Sequence, residues 1–254
     1  MSKQSLEHYL ANGGRLSSPD NATPRYRGEL MRLMAVFVDS EMAGAAGFAD
    51  AINFAPGIRE RIVASRIVLE KFSNAKQVLD VMEGFGANVS RYANQHPWTA
   101  RVDRNFDLGK ERMGSDARLN VFYYPIENWC DAVVMNTLMG LASVNQLGEY
   151  ADCSYQPLCD ATAEILATEN RHYELGISGI EHLFEYGFNT ESAQSSVNYW
   201  YPRVADTFGH MNSERYERLK RFGLRRNDNE QLLKQWRERS AEMLKNLGLA
   251  APAT

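Results

Sequence analysis

Apolar positions recur at threes and fours along most of the chain, which is the period of an amphipathic α-helix. Over residues 25–53 the recurring set is Leu30, Leu33, Met34, Phe37, Val38, Met42 and Ala45, and Ala55, Pro56 and Gly57 break it. A second helix is predicted over residues 58–85, with Ile62, Val63, Ile67, Val68, Phe72, Val78, Leu79 and Met82 as its apolar positions and Gly84 and Gly86 at its end. Residues 87–124 lose the period and carry Asn94, Pro97, Asp103, Asp107, Gly109 and Gly114, so they read as a long crossover with short helical pieces. A third helix is predicted over residues 124–147 with Pro125 in its first turn, and a fourth over 158–188. Shorter helices follow up to Phe208, over 213–222 and over 228–247, with Ser213 and Asp228 as N-caps and Gly248 as the last stop. Residues 1–24 are polar up to Pro24 and are expected to form a poorly ordered arm.

No strand pattern competes. Two helical hairpins joined by a long crossover make the ferritin-like variant of the four-helix bundle. The expected architecture is therefore all-α: one ferritin-like helical domain over residues 25–254, with extra C-terminal helices. At 254 residues, 44% apolar and 24% charged, the chain has the balance of a globular protein with a sizeable core. A formal charge of −4 argues against nucleic acid as a partner. No apolar run reaches the length of a membrane span, and no secretory leader pattern opens the chain, so a cytoplasmic location is expected. Cys130, Cys153 and Cys159 lack metal-site spacing, fit a reducing compartment and are expected to be inert.

Against this background the candidate chemistry is carboxylate and imidazole. Glu169 and His172 stand three apart on the fourth helix, so both point the same way and can hold one metal together. A single such pair is a weak signal. Glu41 in an apolar stretch of the first helix, and Glu70 between Val68-Leu69 and Phe72 on the second, strengthen it. Two bland readings stay open: Glu41 at a solvated edge, and Glu70 paired with Arg66 one turn earlier. Inward carboxylates need a cation, a proton or several hydrogen bonds.

The chain resembles the catalytic α-subunit family of the multicomponent phenylacetyl-CoA epoxidase. The likeness spans about residues 25–249. It is carried by Ser40-Glu41, by Tyr124-Pro125 with Trp129 and Asp131, and by Cys153, Ser154, Tyr155 and Pro157. Glu169-Asn170-Arg171-His172, the run from Val197 to Pro202, and Lys220-Arg221-Phe222 complete it. The resemblance implies six side chains around two irons, an acyl-CoA thioester and O₂ as substrates, a reductase, and assembly as a homo-oligomer or with a related bundle subunit. Of the six ligand positions, Glu41, Glu70, Glu169 and His172 match, while the other two fall on Ser73 and Gly140. This implies a degenerate di-iron site with iron at reduced occupancy or absent; without metal, Arg66 would supply the compensating charge. Lys220 and Arg221 would lie at the rim for the coenzyme A phosphates, against the simpler reading of a solvated basic face. Two functions follow: an oxygenase subunit acting on an aromatic acyl-CoA, or a non-catalytic structural or binding subunit of such an oxygenase. Ser73 and Gly140 favour the second; kinship favours the first.

Overall fold

The computed structural model describes residues 3–211 and 214–253. They form an all-α, ferritin-like bundle. Helix α1 covers Lys3–Ala11. The first long hairpin is α2 (Pro24–Ala51) and α3 (Ile58–Glu83), and a short α4 (Val89–Ala93) lies in the crossover. The second hairpin is α5 (Trp129–Tyr150) and α6 (Gln156–Leu183). Then come α7 (Thr190–Ala205), α8 (Glu214–Arg221) and α9 (Asn229–Asn246). Within each hairpin the two helices pack along their length, and α3 packs on α6 to join the hairpins.

Local chemistry sets the helix ends. Thr23 caps α2 by accepting from the Tyr26 amide, with Pro24 at the first helical position. The third helix starts at Trp129, not at Tyr124 as the sequence predicts. Asn128 accepts from the Asp131 amide at 2.9 Å and fixes the start there, while Asn120–Tyr123 forms a separate 3₁₀ turn ahead of Pro125. Asp228 and Gln231 bond reciprocally as a capping box on α9. Ser213, the expected cap of α8, lies outside the described residues.

Helix α5 is the centre of the molecule. Its residues from Trp129 to Ala142 are all buried, because α6, α7 and α9 surround it. The aromatic residues of the late helices, which invite an interface reading, complete this core instead. Trp200, Tyr201, Phe208 and Trp236 are buried, with the Trp236 indole donating to the Leu138 carbonyl at 3.1 Å. Tyr199 is clasped between the guanidinium planes of Arg104 and Arg203, at 3.8 and 3.7 Å from its ring centre.

Residues 1–24 are not a loose arm where they are described. Helix α1 docks on α8, Leu10 and Leu16 are buried, and the Leu16 backbone pairs with Ser154 and Gln156. The short apolar set Leu6, Leu10 and Leu16 is enough to anchor the segment once α8 supplies a surface. The crossover is tied down at the Asp39–Ser40 turn of α2. Asp39 accepts from the Tyr92 hydroxyl and the Ala117 amide, and Ser40 accepts from the Leu119 amide. Among the described residues no helix is long and apolar enough to cross a membrane.

Candidate functional site

Four helices send polar side chains to one buried point. Glu41 comes from the middle of α2, Lys71 and Asn74 from α3, and Glu169 and His172 from α6; all five are buried. Asn136 of α5 lies beside them and donates to the His172 carbonyl at 3.0 Å. The Lys71 ammonium sits between two carboxylates, 3.0 Å from Glu41 Oε1 and 3.3 Å from Glu169 Oε1. The Asn74 amide donates to both as well, at 3.2 Å to Glu41 Oε2 and 3.1 Å to Glu169 Oε1.

His172 continues the network outward. Its Nδ1 lies 3.1 Å from Glu169 Oε1 and its Nε2 lies 2.8 Å from Glu70 Oε2. A neutral imidazole has one N–H, so satisfying both carboxylates takes a second proton on the ring or a proton on one carboxyl. Glu70 stands at the edge of the bundle and closes the chain of contacts on Arg171, at 2.8 Å. Partial burial pushes its pKa up, but Arg171 and His172 together outweigh it and hold the Glu70 carboxyl below the usual carboxylate range.

The charges are unequal at the centre. Burial, with the neighbouring Glu169 carboxylate, pushes the Glu41 carboxyl up to about 7, despite the opposing pull of Lys71. Glu169 is held down at about 2, because Lys71 and His172 outweigh its own desolvation. Lys71 is raised above the ordinary lysine value by Glu169 and Glu41, which overcome its burial. The cluster thus holds an ionised Lys71–Glu169 pair with Glu41 as the group that takes up a proton first.

This geometry revises the assignment of site residues. Glu41, Glu169 and His172 meet in the interior, and Glu70 reaches them only through His172. Ser73 is exposed and its hydroxyl donates to the Leu69 carbonyl, so it does not mark a lost ligand position. The inward pair on α3 is Lys71 and Asn74, again three apart, where the second Glu-x-x-His of a di-iron site would stand. One residue is about 100° around a helix, so choosing Glu70 instead of Lys71 turns the inferred pair off the core face. Arg66 is exposed, and Lys71 provides the cation expected from it. Gly140 does line the small cavity beside Glu169, but its absent side chain has a packing cause: a Cβ there would meet Tyr173 Cα at 3.2 Å.

The donor set does not fit a pair of irons. An ammonium occupies the cation position between Glu41 and Glu169, and the Asn74 side chain presents its donor rather than a lone pair. Only Glu169 Oε2 is buried without a hydrogen-bond partner among these groups. The adjoining cavity, about 30 Å³ and also lined by Lys71, Asn136 and Arg101, has room for a water molecule.

The expected rim residues Lys220 and Arg221 are exposed, and Lys220 borders a separate cleft beside Gly13 and Arg15 that holds none of the buried centre's residues. A cleft of about 500 Å³ elsewhere carries Lys110, Arg112, Arg215 and Arg225 together with Tyr150 and Phe208. From it a narrower apolar gap, lined by Leu119, Phe122, Met139 and Tyr150, leads to Glu41. Neither feature is visible in sequence, because its residues are scattered over α2, the crossover, α5 and the C-terminal helices.

No curated protein sequence matches the chain significantly. The family model described as phenylacetic acid catabolic protein matches residues 15–254, nearly the whole chain, and with a helical bundle built around this centre the chain belongs to that family.

Proposed function

We propose that this chain is a non-catalytic bundle subunit of a multicomponent phenylacetate-degrading oxygenase. The observation that carries the reading is Lys71, held between Glu41 and Glu169. An ammonium at that point neutralises the buried carboxylates that a metal would otherwise balance, and ties α2, α3 and α6 together without one. Oxygen activation, and the reductase that would feed it, then belong to a related subunit with a full ligand set.

Iron content decides the matter. Protein expressed in iron-rich medium should carry far less than one iron per chain. Lys71→Glu combined with Asn74→His, which rebuilds the second Glu-x-x-His, should raise that content, while Ser73→His should leave it flat. Two tightly held irons in the unaltered protein, surviving mild chelation, would overturn the proposal.

A ligand-holding role is a second reading, favoured by the basic cleft and the apolar gap behind it. A cationic mouth with a narrow apolar passage suits a molecule with a phosphorylated head and a slim acyl arm, such as an aromatic acyl-CoA thioester. Titration of the protein with phenylacetyl-CoA should give binding that weakens in an Arg215→Ala, Arg225→Ala variant and is unaffected by Lys220→Ala, Arg221→Ala. Equal loss in both variants would remove this reading and leave the first intact.

A further inference from the structure

Cys153 and Cys159 stand six residues apart in sequence and face each other in the structure, with their sulfurs 3.7 Å apart. Cys153 is in the turn before α6, and Cys159 is in the first turn of that helix. Both are reduced and buried, yet Cys153 also forms part of the floor of a cleft of about 380 Å³. Gly13, Gly14, Arg15, Lys220 and Arg226 surround that cleft, so a small neutral oxidant entering it meets Cys153, with the Cys159 sulfur in contact behind it.

The two thiols differ in reactivity. Cys159 is drawn down to about 7 by the hydrogen bond from the Cys153 thiol, with Arg15 adding to the pull against burial and Asp160. Its place at the start of α6 acts in the same direction, because a helix N-terminus favours an anion. Cys153 is pushed up by that same partnership and by burial. Cys159, whose thiol donates to the Cys153 carbonyl at 3.0 Å, is disposed to attack once it gives up that bond, and Cys153, in contact with it, keeps its proton until needed. Cys130 is buried on α5, apart from both.

We propose that Cys153 and Cys159 are a peroxide-oxidisable dithiol that closes to an intrachain disulfide. The Cys159 thiolate attacks one oxygen of hydrogen peroxide, the O–O bond breaks, and water leaves after the released hydroxide takes a proton. The resulting Cys159 sulfenic acid is attacked by the Cys153 sulfur, which gives up its proton as the S–S bond forms and a second water departs. Two thiols and one peroxide become one disulfide and two waters, with two electrons passing from the sulfurs to the peroxide oxygens. A modest side-chain rotation brings the sulfurs from contact to bonding distance.

The consequence lies in what the turn holds. Ser154 accepts from the Tyr26 hydroxyl at 2.9 Å, its amide donates to the Gly223 carbonyl at 2.9 Å, and its carbonyl accepts from the Leu16 amide at 2.8 Å. The Gln156 amide donates to the Leu16 carbonyl at 2.8 Å. The N-terminal segment, α2, α6 and the turn after α8 therefore meet on the residues flanking Cys153. A disulfide there fixes the turn against α6 and should secure that junction.

The test uses the full chain. After treatment with a slight excess of hydrogen peroxide and alkylation under denaturing conditions, the intact mass should show two thiols lost and one, Cys130, still alkylated. Proteolysis should yield a peptide joining Cys153 to Cys159, and dithiothreitol should restore all three thiols. Cys153→Ser should instead accumulate a sulfenic acid at Cys159 that a dimedone probe traps, while Cys130→Ser should behave as the unaltered protein does. Three alkylatable thiols after peroxide, or a disulfide that maps to Cys130 or links two chains, would overturn the proposal.

Discussion

At the scale of single residues, Lys71 decides the character of the interior. Removing one partner of a buried ion pair costs more than the pair contributes, because the remaining charge is left without compensation. Lys71→Met should therefore lower stability by about 3–5 kcal/mol near neutral pH, as read by urea unfolding. The loss should shrink at pH 5, where Glu41 can take a proton, and adding Glu41→Gln should recover part of it. A neutral outcome for the single variant would mean that the ammonium is not the balancing charge. The unaltered protein carries its own signature. The Glu41 carboxyl is raised from 4.5 to about 7, so the folded state binds more protons than the unfolded state between those values. Its contribution to stability therefore falls as pH rises through that window. Glu169, lowered from 4.5 to about 2, contributes stability that is present above 4.5 and lost as pH falls toward 2. Melting temperature followed from pH 4 to 8 should decline less steeply in Glu41→Gln than in the parent. An unchanged slope would place the proton elsewhere. Part of this site was legible in the sequence. Glu169 and His172 share a helix face by spacing alone, and Glu41 lies in an apolar run. Lys71 and Asn74 were not legible, because Glu70 one place earlier is the residue that attracts notice and only packing shows which of the two faces inward.

At the scale of elements, the close approach of α5 and α6 is what brings Asn136 onto the His172 carbonyl. Small residues on both helices permit it. A Cβ on Gly176 would stand 2.4 Å from Thr137 Oγ1 and 3.0 Å from Thr137 Cα, and a Cβ on Gly179 would meet Val133 at 2.8 Å. The helix gain of about 1 kcal/mol from replacing glycine by alanine is therefore opposed by overpacking against backbone as well as side chain. Gly176→Ala should destabilise by about 1–3 kcal/mol in denaturant unfolding. Thr137→Ala in the same chain should return only part of it, because the added methyl still presses on the backbone of residue 137. A stabilised Gly176→Ala would show that the two helices separate at little cost. The existence and order of the long helices followed from their apolar period. Their ends followed where a cap was conspicuous, as at Asp228. The start of α5 did not, since Pro125 is as plausible an opening residue as Trp129 until the Asn128 cap is seen.

At the scale of the whole molecule, α3 is the element with two committed faces. Its inward face carries Lys71 and Asn74. Its outward face carries Ile58, Ile62, Leu69 and Phe72, which are 75%, 56%, 65% and 41% exposed. With Ser65 between them, these positions alternate by fours and threes, the spacing of a seam between two packed helices. Scattered apolar residues on a surface need no explanation, but four exposed ones aligned on one side of a long helix, interrupted only at Ser65, do. The aromatic residues of α7 and α9 are spent inside the fold, so they do not supply an interface. The outward stripe of α3 is the apolar surface left exposed along a long helix. On the proposed non-catalytic reading, a subunit whose interior is closed by Lys71 would use such a seam for assembly. The expected outcome is self-association through α3 against α3 of a second copy, seen as a dimer mass by light scattering at micromolar concentration. Leu69→Glu places a charge in the middle of the seam, where the pair would have to bury it, and should return the mass to that of one chain without lowering the melting temperature of the monomer. Lys234→Glu, a charge reversal at an exposed position of α9, should leave the dimer intact. A parent protein that stays monomeric across that range, or a dimer that Leu69→Glu does not weaken, would move the interface off α3.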